Sequence, residues 1–134
     1  MIAVDADILI AITNGEASAP AAVMLLMQYA QTTELVVCAA TVAEIGRGFR
    51  TSALVRALLS DMHIAYHSMS FDAALKAGQC MYSYAMRGGK SRPLKGDFLI
   101  GAHAMVDCTA LLAIDGGFKR DYFKGLKVIK PSLT

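Results

Sequence analysis

The chain has 134 residues, of which 55% are hydrophobic and 18% are charged, and its formal net charge is +2. This length predicts one domain, residues 1–134, whose core needs no disulfide or structural metal. The mean hydropathy of +0.45 is high for a soluble monomer, so we expect an apolar face that meets a second copy of the chain or another protein.

Apolar runs and helix-like segments alternate along the chain. The predicted strands are residues 2–5, 35–39, 63–68, 110–114 and 127–129. The predicted helices are residues 7–13, 20–31, 41–47, 52–61, 71–87 and 97–108. The second strand is apolar throughout, as in a parallel sheet that is buried on both faces. Strands separated by helices predict an α/β fold, with a central, mostly parallel sheet of about five strands flanked by helices.

Several features indicate a cytoplasmic protein without a membrane partner. The start of the chain lacks a basic segment, and Asp5 and Asp7 interrupt its apolar run, so no signal peptide is expected. The longest uncharged stretch, residues 17–33, contains a proline and two glutamines, which argues against a membrane span. Three cysteines far apart in the sequence are typical of free thiols in a reducing compartment.

Acidic residues stand where an α/β fold would gather them. Asp5 and Asp115 end predicted strands, and Glu44 and Asp97 lie near the starts of predicted helices. Because the carboxyl ends of parallel strands face one crevice, we expect these carboxylates to converge. Converging carboxylates repel each other unless a cation lies between them, and hard divalent cations accept oxygen ligands. We call these four residues the acid cluster and predict that they bind a metal, with Asp7 as an additional candidate.

Each acid also has a simpler explanation, and the sequence leaves these alternatives open. Glu44 fits a capping box with the threonine three residues before it, and Asp97 suits the positive end of a helix dipole. Asp7 could cap the helix that follows it, and Asp115 could be a turn residue before two glycines. Asp5 is harder to explain, because an acid that ends a buried strand is unfavourable unless it is paired or bound to metal.

Repulsion within the acid cluster has an expected consequence for stability. Without a metal, the pKa values of clustered carboxylates should be raised. Replacing Asp97 with Asn is then expected to raise the melting temperature of the metal-free protein near neutral pH.

The basic residues surround this acidic centre. Removing the four cluster acids and Asp7 leaves thirteen basic and six acidic residues, and an acidic pocket in a basic shell suits a polyanion handled through a metal. The segment 87–95 leads into the helix of Asp97, and we predict that it contacts nucleic-acid phosphates. Its basic residues are Arg87, Lys90, Arg92 and Lys95. The alternative is a solvated surface loop.

The histidines are not expected to bind metal. His63 and His67 fall on one predicted strand but far apart along it, and His103 stands alone in a predicted helix. None of them has the spacing of a zinc site.

Four segments in order resemble the PIN domain family of metal-dependent ribonucleases, and most closely the VapC-type toxins of bacterial toxin–antitoxin pairs. They are V-D-A-D-I-L-I at residues 4–10, T-V-A-E-I at 41–45, D-F-L-I-G-A at 97–102 and A-I-D-G-G-F at 113–118. The chain departs from the family pattern at three positions. Asp7 stands where Asn or Thr is more usual, Ala113 where Ser or Thr is common, and Gly117 where many members carry another acid. The missing acid argues against a complete second metal site.

The resemblance implies a PIN-like fold and an endoribonuclease that is the toxin of a type II toxin–antitoxin pair. The acid cluster would hold Mg²⁺ or Mn²⁺, which would lower the pKa of a bound water for in-line attack on an RNA phosphodiester. A homodimer and a cognate antitoxin protein are the implied partners, with residues 45–59 as the contact region, including Ile45, Phe49, Leu54 and Leu58. Two alternatives are a PIN-like nuclease of RNA maturation or DNA processing without an antitoxin, and a non-catalytic nucleic-acid-binding module.

Overall fold

Strands and helices alternate through the computed structural model of the protein, which describes residues 1–88 and 95–132. The strands in this part are β1 (Ile2–Val4), β2 (Leu35–Val37), β3 (Ile64–Tyr66), β4 (Leu111–Leu112) and β5 (Val128–Ile129). The helices are α1 (Ala6–Thr13), α2 (Ala19–Ala30), α3 (Ala39–Gly46), α4 (Ser52–Asp61), α5 (Phe71–Met86), α6 (Lys95–Asp107) and α7 (Gly117–Tyr122). The sheet has five strands in the order β3-β2-β1-β4-β5, and each pairing is parallel. The predicted α/β fold is therefore confirmed.

The sheet is covered on both faces because successive strand residues point to opposite sides. Ile2 and Val4 of β1 pack in an apolar cluster with residues of α1 and α2. Ala3, between them, packs in a second cluster with residues of α5 and α6. Both neighbours of β1 are hydrogen-bonded to it, so β1 is the buried centre of the sheet and fixes where Asp5 begins the next segment.

The start of α3 contradicts one explanation for Glu44. The helix begins at Ala39 with Cys38 in the N-cap position, two residues earlier than the sequence predicted. Thr41 therefore lies in the first turn, where its hydroxyl is 3.7 Å from the Cys38 sulfur. Glu44 falls in the second turn, too far along to close a capping box, so that alternative is wrong.

Helix α7 was not predicted from the sequence. Gly116 and Gly117 indicate a turn, and the six residues of α7 are too few to show a helical period. The turn does exist, since Gly116 has a φ of +63°, but a helix follows it at once. After α7, Phe123 is buried and its ring lies directly against Gly101 of α6. This contact ties α7 to α6.

The remaining boundaries differ by a few residues. Strand β3 begins at Ile64 rather than at residue 63, because His63 has a φ of +58° and ends the preceding turn. Helix α4 has the predicted bounds. Among the helices of residues 1–88 and 95–132, none combines the length and apolar character needed to cross a lipid bilayer.

We expect Gly101→Ala to lower the free energy of unfolding by about 1–3 kcal/mol, because a methyl group there would overlap the buried Phe123 ring. Gly46→Ala is the matched control, since a Cβ at Gly46 would meet no heavy atom of the described residues within 4 Å. That control should be neutral or slightly stabilising. Urea denaturation of both variants measures the difference, and equal stabilities would contradict the packing of Phe123 on α6.

Candidate functional site

All four residues of the acid cluster meet at the carboxyl end of the central strands. Asp5 follows β1 directly, Asp115 follows β4 by three residues, and Glu44 and Asp97 project from α3 and α6. Together with Asp7 and Lys119 they line a pocket of about 240 Å³. The sheet thus brings together residues that are up to 110 positions apart in the chain.

Asp5 is the most deeply buried acid of the pocket. Its side chain follows the last residue of β1 and is 3% exposed. It occupies the N-cap position of α1 without making a side-chain capping hydrogen bond, so the carboxylate is free to point into the pocket. Burial raises the pKa of Asp5, the neighbouring Asp7 raises it further, and Lys119 opposes both effects.

Asp7 holds the chain that carries Asp115. Its Oδ1 accepts a hydrogen bond from the Ile114 amide at 3.0 Å, and its Oδ2 accepts one from the Asp115 amide at 3.1 Å. Of the two roles considered for Asp7, capping of α1 is therefore wrong, because both oxygens bind the chain after β4. Asp7 lies in the pocket wall and positions Asp115.

Asp115 combines the turn role with a place in the pocket. Its Oδ1 accepts a hydrogen bond from the Gly117 amide at 3.3 Å, which is an Asx-turn of the kind expected before glycine. A side chain at residue 117 would crowd this oxygen, since a Cβ there would lie 3.2 Å from it. Gly117 therefore suits the turn and contributes no second acid to the pocket.

Glu44 reaches the pocket from the second turn of α3. Its Oε1 lies so close to Gly96 that a Cβ at residue 96 would collide with it. This oxygen is buried and accepts no hydrogen bond from any residue in the described part of the chain. Burial raises the pKa of Glu44, and the charges of Asp97 and Asp5 raise it further.

Lys119, which the sequence analysis did not select, lies in the middle of the acids. Its Nζ is 3.0 Å from Asp5 Oδ2 and 3.0 Å from Asp97 Oδ1, and its side chain is buried. Burial by itself would lower the pKa of Lys119, but the two carboxylates outweigh it and the pKa is raised. The available sequence signal was the spacing of four residues between Asp115 and Lys119. That spacing places Lys119 near the acids only because helix α7, which was not predicted, follows Asp115.

The lysine changes one expectation about stability. Asp97 accepts a hydrogen bond from Lys119, so replacing Asp97 with Asn would weaken an ion pair as well as relieve repulsion. The stabilisation predicted for Asp97→Asn is therefore no longer expected. Glu44 is the better residue for that test, because its buried oxygen has no such donor in residues 1–88 and 95–132.

The donor set fits a hard divalent cation. The cluster offers carboxylate oxygens alone, which are the ligands that Mg²⁺ and similar ions prefer. Glu44 Oε1 and Asp5 Oδ2 are buried and accept no hydrogen bond from the residues described here, although Lys119 is paired by charge with the Asp5 oxygen. Buried acceptors without a donor are unfavourable, and a bound cation would satisfy both.

The predicted nucleic-acid segment is only partly visible. Arg87 is the exposed C-cap residue of α5, and Lys95 is the first residue of α6. Lys90 and Arg92 lie outside the described residues. The residue that follows this segment, Gly96, does lie against Glu44 of the acid cluster.

A second group of potential ligands lies away from the pocket. His67 Nδ1 is 3.0 Å from His103 Nε2, so the expectation that His103 stands alone is wrong. Asp107 accepts hydrogen bonds from the Ser70 amide at 2.8 Å and the Ser70 hydroxyl at 2.5 Å. One ligand atom from each of His67, His103 and Asp107 falls within 4.8 Å of the others. These hydrogen bonds already engage all three side chains, which join the segment before α5 to α6.

We expect the metal-free protein to lose stability as pH rises above about 4, the ordinary range of carboxyl pKa values. The pKa values of Asp5 and Glu44 are raised in the folded state, so the folded state holds protons that the unfolded state has already released. The stabilisation is complete below the unfolded pKa and is lost as pH climbs through the folded pKa. Glu44→Gln removes one of these groups and should therefore lose less stability between about pH 4 and pH 8 than the parent, because the raised pKa of Glu44 no longer contributes to the pH dependence.

Thermal scans in EDTA at several pH values measure this difference. Glu16→Gln, which changes an exposed acid, is the matched control and should keep the pH dependence of the parent. Identical pH profiles for Glu44→Gln and the parent would contradict the raised pKa that the burial of Oε1 and the neighbouring acids give to Glu44.

Comparisons with known proteins agree with this architecture. VapBC2 of Rickettsia felis, bound to a DNA fragment from its promoter, shares the fold with a TM-score of 0.76 and 17% identity, and the match covers 98% of this chain and 100% of that chain. DNA-bound VapBC of Salmonella typhimurium has a TM-score of 0.67 and 17% identity, over 97% of this chain and 98% of that chain. VapBC-1 of nontypeable Haemophilus influenzae has a TM-score of 0.69 and 18% identity, over 97% of this chain and 98% of that chain. At these identities the likeness concerns the fold alone. No curated protein matches the chain significantly.

The family comparison covers the whole candidate site. The PIN domain pattern matches residues 2–124, a range that contains every residue of the acid cluster and Lys119. The sequence segments, the parallel sheet and the converging acids therefore lead to one conclusion: the chain belongs to the PIN domain family.

Proposed function

We propose that this protein is a metal-dependent endoribonuclease and the toxin of a type II toxin–antitoxin pair. The observation that carries the proposal is the acid cluster, which lies at one end of the sheet and includes a buried Glu44 oxygen that accepts no hydrogen bond from the described residues, and a buried Asp5 oxygen that is paired by charge with Lys119 alone among them. Membership of the PIN domain family supports nuclease chemistry. The shared fold with VapBC structures supports the toxin role.

The residues divide the work of such a site. Asp5, Glu44, Asp97 and Asp115 would hold Mg²⁺ or Mn²⁺. When bound, the cation supplies a more acidic water and stabilises charge at the phosphodiester. Asp7 fixes the chain before Asp115 through two backbone hydrogen bonds, and Gly117 leaves that wall of the pocket open. Glu44 and Asp97 thus project from helices, and Asp115 lies in a turn that backbone hydrogen bonds hold.

Basic residues near the pocket support a nucleic-acid substrate. Arg87 and Lys95 flank the segment that leads into α6, and Lys90 and Arg92 belong to the same segment in sequence. Lysine and arginine neutralise backbone phosphates without reading sequence. We propose that these four residues contact the RNA backbone next to the scissile bond.

One observation favours the alternative of a non-catalytic binding module. Lys119 is buried between Asp5 and Asp97, where it already neutralises part of the acid cluster. In a non-catalytic module this ion pair would be permanent and the pocket would not bind a divalent cation. Metal binding therefore separates the two functions.

We expect Asp5→Asn to reduce RNA cleavage by roughly 100-fold or more, the scale seen when one charge-stabilising group is removed from a catalytic site. The substitution removes a charged ligand from the pocket and nearly preserves its shape. The measurement is cleavage of a panel of RNAs with Mg²⁺, with Mn²⁺ or with EDTA.

Asp61→Asn provides the control for this experiment, since Asp61 is an exposed acid at the end of α4. It should cleave at the parental rate. Cleavage in EDTA, or full cleavage by Asp5→Asn, would remove the metal-site assignment. Cleavage of DNA in place of RNA would favour the DNA-processing alternative.

The proposed antitoxin has a surface that it could cover. An apolar pocket of about 990 Å³ lies along α2 and is lined by Pro20, Met24, Leu25 and Met27 among others. Met24 and Met27 are 71% and 62% exposed, and flexible methionines adapt well to partner surfaces. The VapBC composition of the structural relatives supports an antitoxin here.

We place the proposed homodimer on α5 rather than on residues 45–59, the region that the sequence indicated. In that region Leu54 is 53% exposed but Ile45 belongs to the core at 3% exposure. Helix α5 carries a longer exposed apolar stripe, defined by Phe71, Leu75, Tyr82 and Met86. At 100° per residue these four side chains fall within about 60° of the helix circumference. Such a stripe suits a two-fold contact between two copies of α5.

We expect Leu75→Glu to convert a dimeric parent into a monomer, because it places a charge in the middle of the α5 stripe. Analytical sedimentation measures the change in oligomeric state. The protein concentration should be on the order of ten micromolar, at which a dimer with an interface of standard size is mostly associated. Met27→Glu alters the other apolar face and is the matched control. A monomeric parent would rule out the dimer, and dissociation by Met27→Glu alone would move the interface to α2.

A further inference from the structure

Lys119 occupies the space that a cation shared by the acids would need. Its Nζ lies 3.0 Å from one oxygen of Asp5 and 3.0 Å from one oxygen of Asp97. We propose that Lys119 is a built-in counter-cation which a divalent metal ion must displace, so that this residue sets the metal affinity of the site. The inference rests on the proposed metal-dependent function and deepens it.

The position of Lys119 is built into the fold. The turn at Gly116 starts α7, and the Lys119 carbonyl accepts a hydrogen bond from the Phe123 amide at 2.8 Å. Phe123 is in turn buried against Gly101 of α6. The backbone of Lys119 is therefore anchored to the same helix that carries Asp97, and its side chain is directed inward rather than towards solvent.

Burial of the ammonium group needs a compensating interaction. A charged side chain removed from water is unfavourable unless it is paired, and two carboxylates meet this need for Lys119. The pairing also benefits the acids, because it neutralises the repulsion between Asp5 and Asp97 when no metal is bound. The protein can thus keep its acidic site folded without a metal ion.

A divalent cation and the Lys119 ammonium cannot both use these oxygens. Both would use the carboxylates of Asp5 and Asp97, and two positive charges held that close to each other repel. The flexible four-carbon stem of lysine allows the ammonium group to leave while the backbone stays in place. The free energy of metal binding is then the free energy of coordinating the cation, reduced by the cost of breaking the two ion pairs of Lys119.

Lys119 does not neutralise all the charge of the acid cluster, so a metal ion can still bind there more favourably than the lysine does. The buried Glu44 Oε1 has no hydrogen-bond donor among the residues of the described chain, and one ammonium charge faces four carboxylates. A divalent cation brings a second positive charge and suits oxygen ligands better than an ammonium group does. The lysine therefore raises the metal concentration that the site requires without abolishing binding.

The first test compares Mn²⁺ binding to the full-length parent and to Lys119→Met, measured by calorimetry without RNA. We expect Lys119→Met to bind Mn²⁺ about tenfold or more tightly, within the usual range of coupling between two binding events. Its melting temperature in EDTA should fall below that of the parent, because Asp5 and Asp97 then repel without compensation.

Arg120→Met is the matched control. Arg120 lies next in the same helix, is exposed, and pairs with Asp121 at 3.2 Å rather than with the acid cluster. It removes the same charge from the protein and should leave Mn²⁺ affinity unchanged. Equal or weaker Mn²⁺ binding by Lys119→Met, with a parent that does bind Mn²⁺, would overturn the inference.

A second measurement needs no variant. The side-chain ammonium signals of the parent are followed by NMR during a Mg²⁺ titration. The Lys119 signal is assigned by through-bond correlation to its backbone resonances. We expect the Lys119 signal to change in step with Mg²⁺ saturation, while the exposed Lys124 stays constant. Saturation with Mg²⁺ without a change at Lys119 would sink this inference and leave the proposed function intact. Absence of metal binding by both parent and Lys119→Met would overturn both.

Discussion

Repulsion among carboxylates held in one small pocket is the constraint on which this structure depends. The fold places Asp5 at 3% exposure beside other acids. In such a pocket each negative charge makes it less favourable to ionise the neighbouring carboxyl groups. Positive charge in the pocket therefore stabilises the folded protein when the acids are ionised. In the structure it comes from Lys119, which pairs with Asp5 and Asp97. The same requirement makes the pocket suited to a divalent cation.

The backbone, more than side-chain packing, determines the shape of this pocket. Asp7 accepts two amide hydrogen bonds from the chain after β4, and Asp115 accepts another from Gly117. Gly96 allows Glu44 to approach α6 closely. Glycine and aspartate at these points let main chain and carboxylates come within hydrogen-bond distance, so the acids are oriented before any ligand binds.

The apolar excess of the sequence finds an explanation on two surfaces outside the pocket. The α2 groove with Met24 and Met27 and the α5 stripe from Phe71 to Met86 leave large apolar side chains in contact with water. Large exposed apolar patches usually mark contacts with other proteins. The two faces lie on different helices, and neither includes a residue that lines the pocket of the acid cluster.

The sequence by itself determined the α/β class, the four acids and the family, because short apolar runs and the residues that end them are local patterns. Strand ends of a parallel sheet must meet at one edge, so the convergence of Asp5 and Asp115 followed from order alone. The sequence could not determine where Lys119 lies, nor that Glu44 does not form a capping box. Those depended on a six-residue helix and a helix start shifted by two residues, and on tertiary contacts such as Phe123 against Gly101. The exposed stripe on α5 was equally beyond the sequence, because an apolar residue does not show which of its neighbours will cover it.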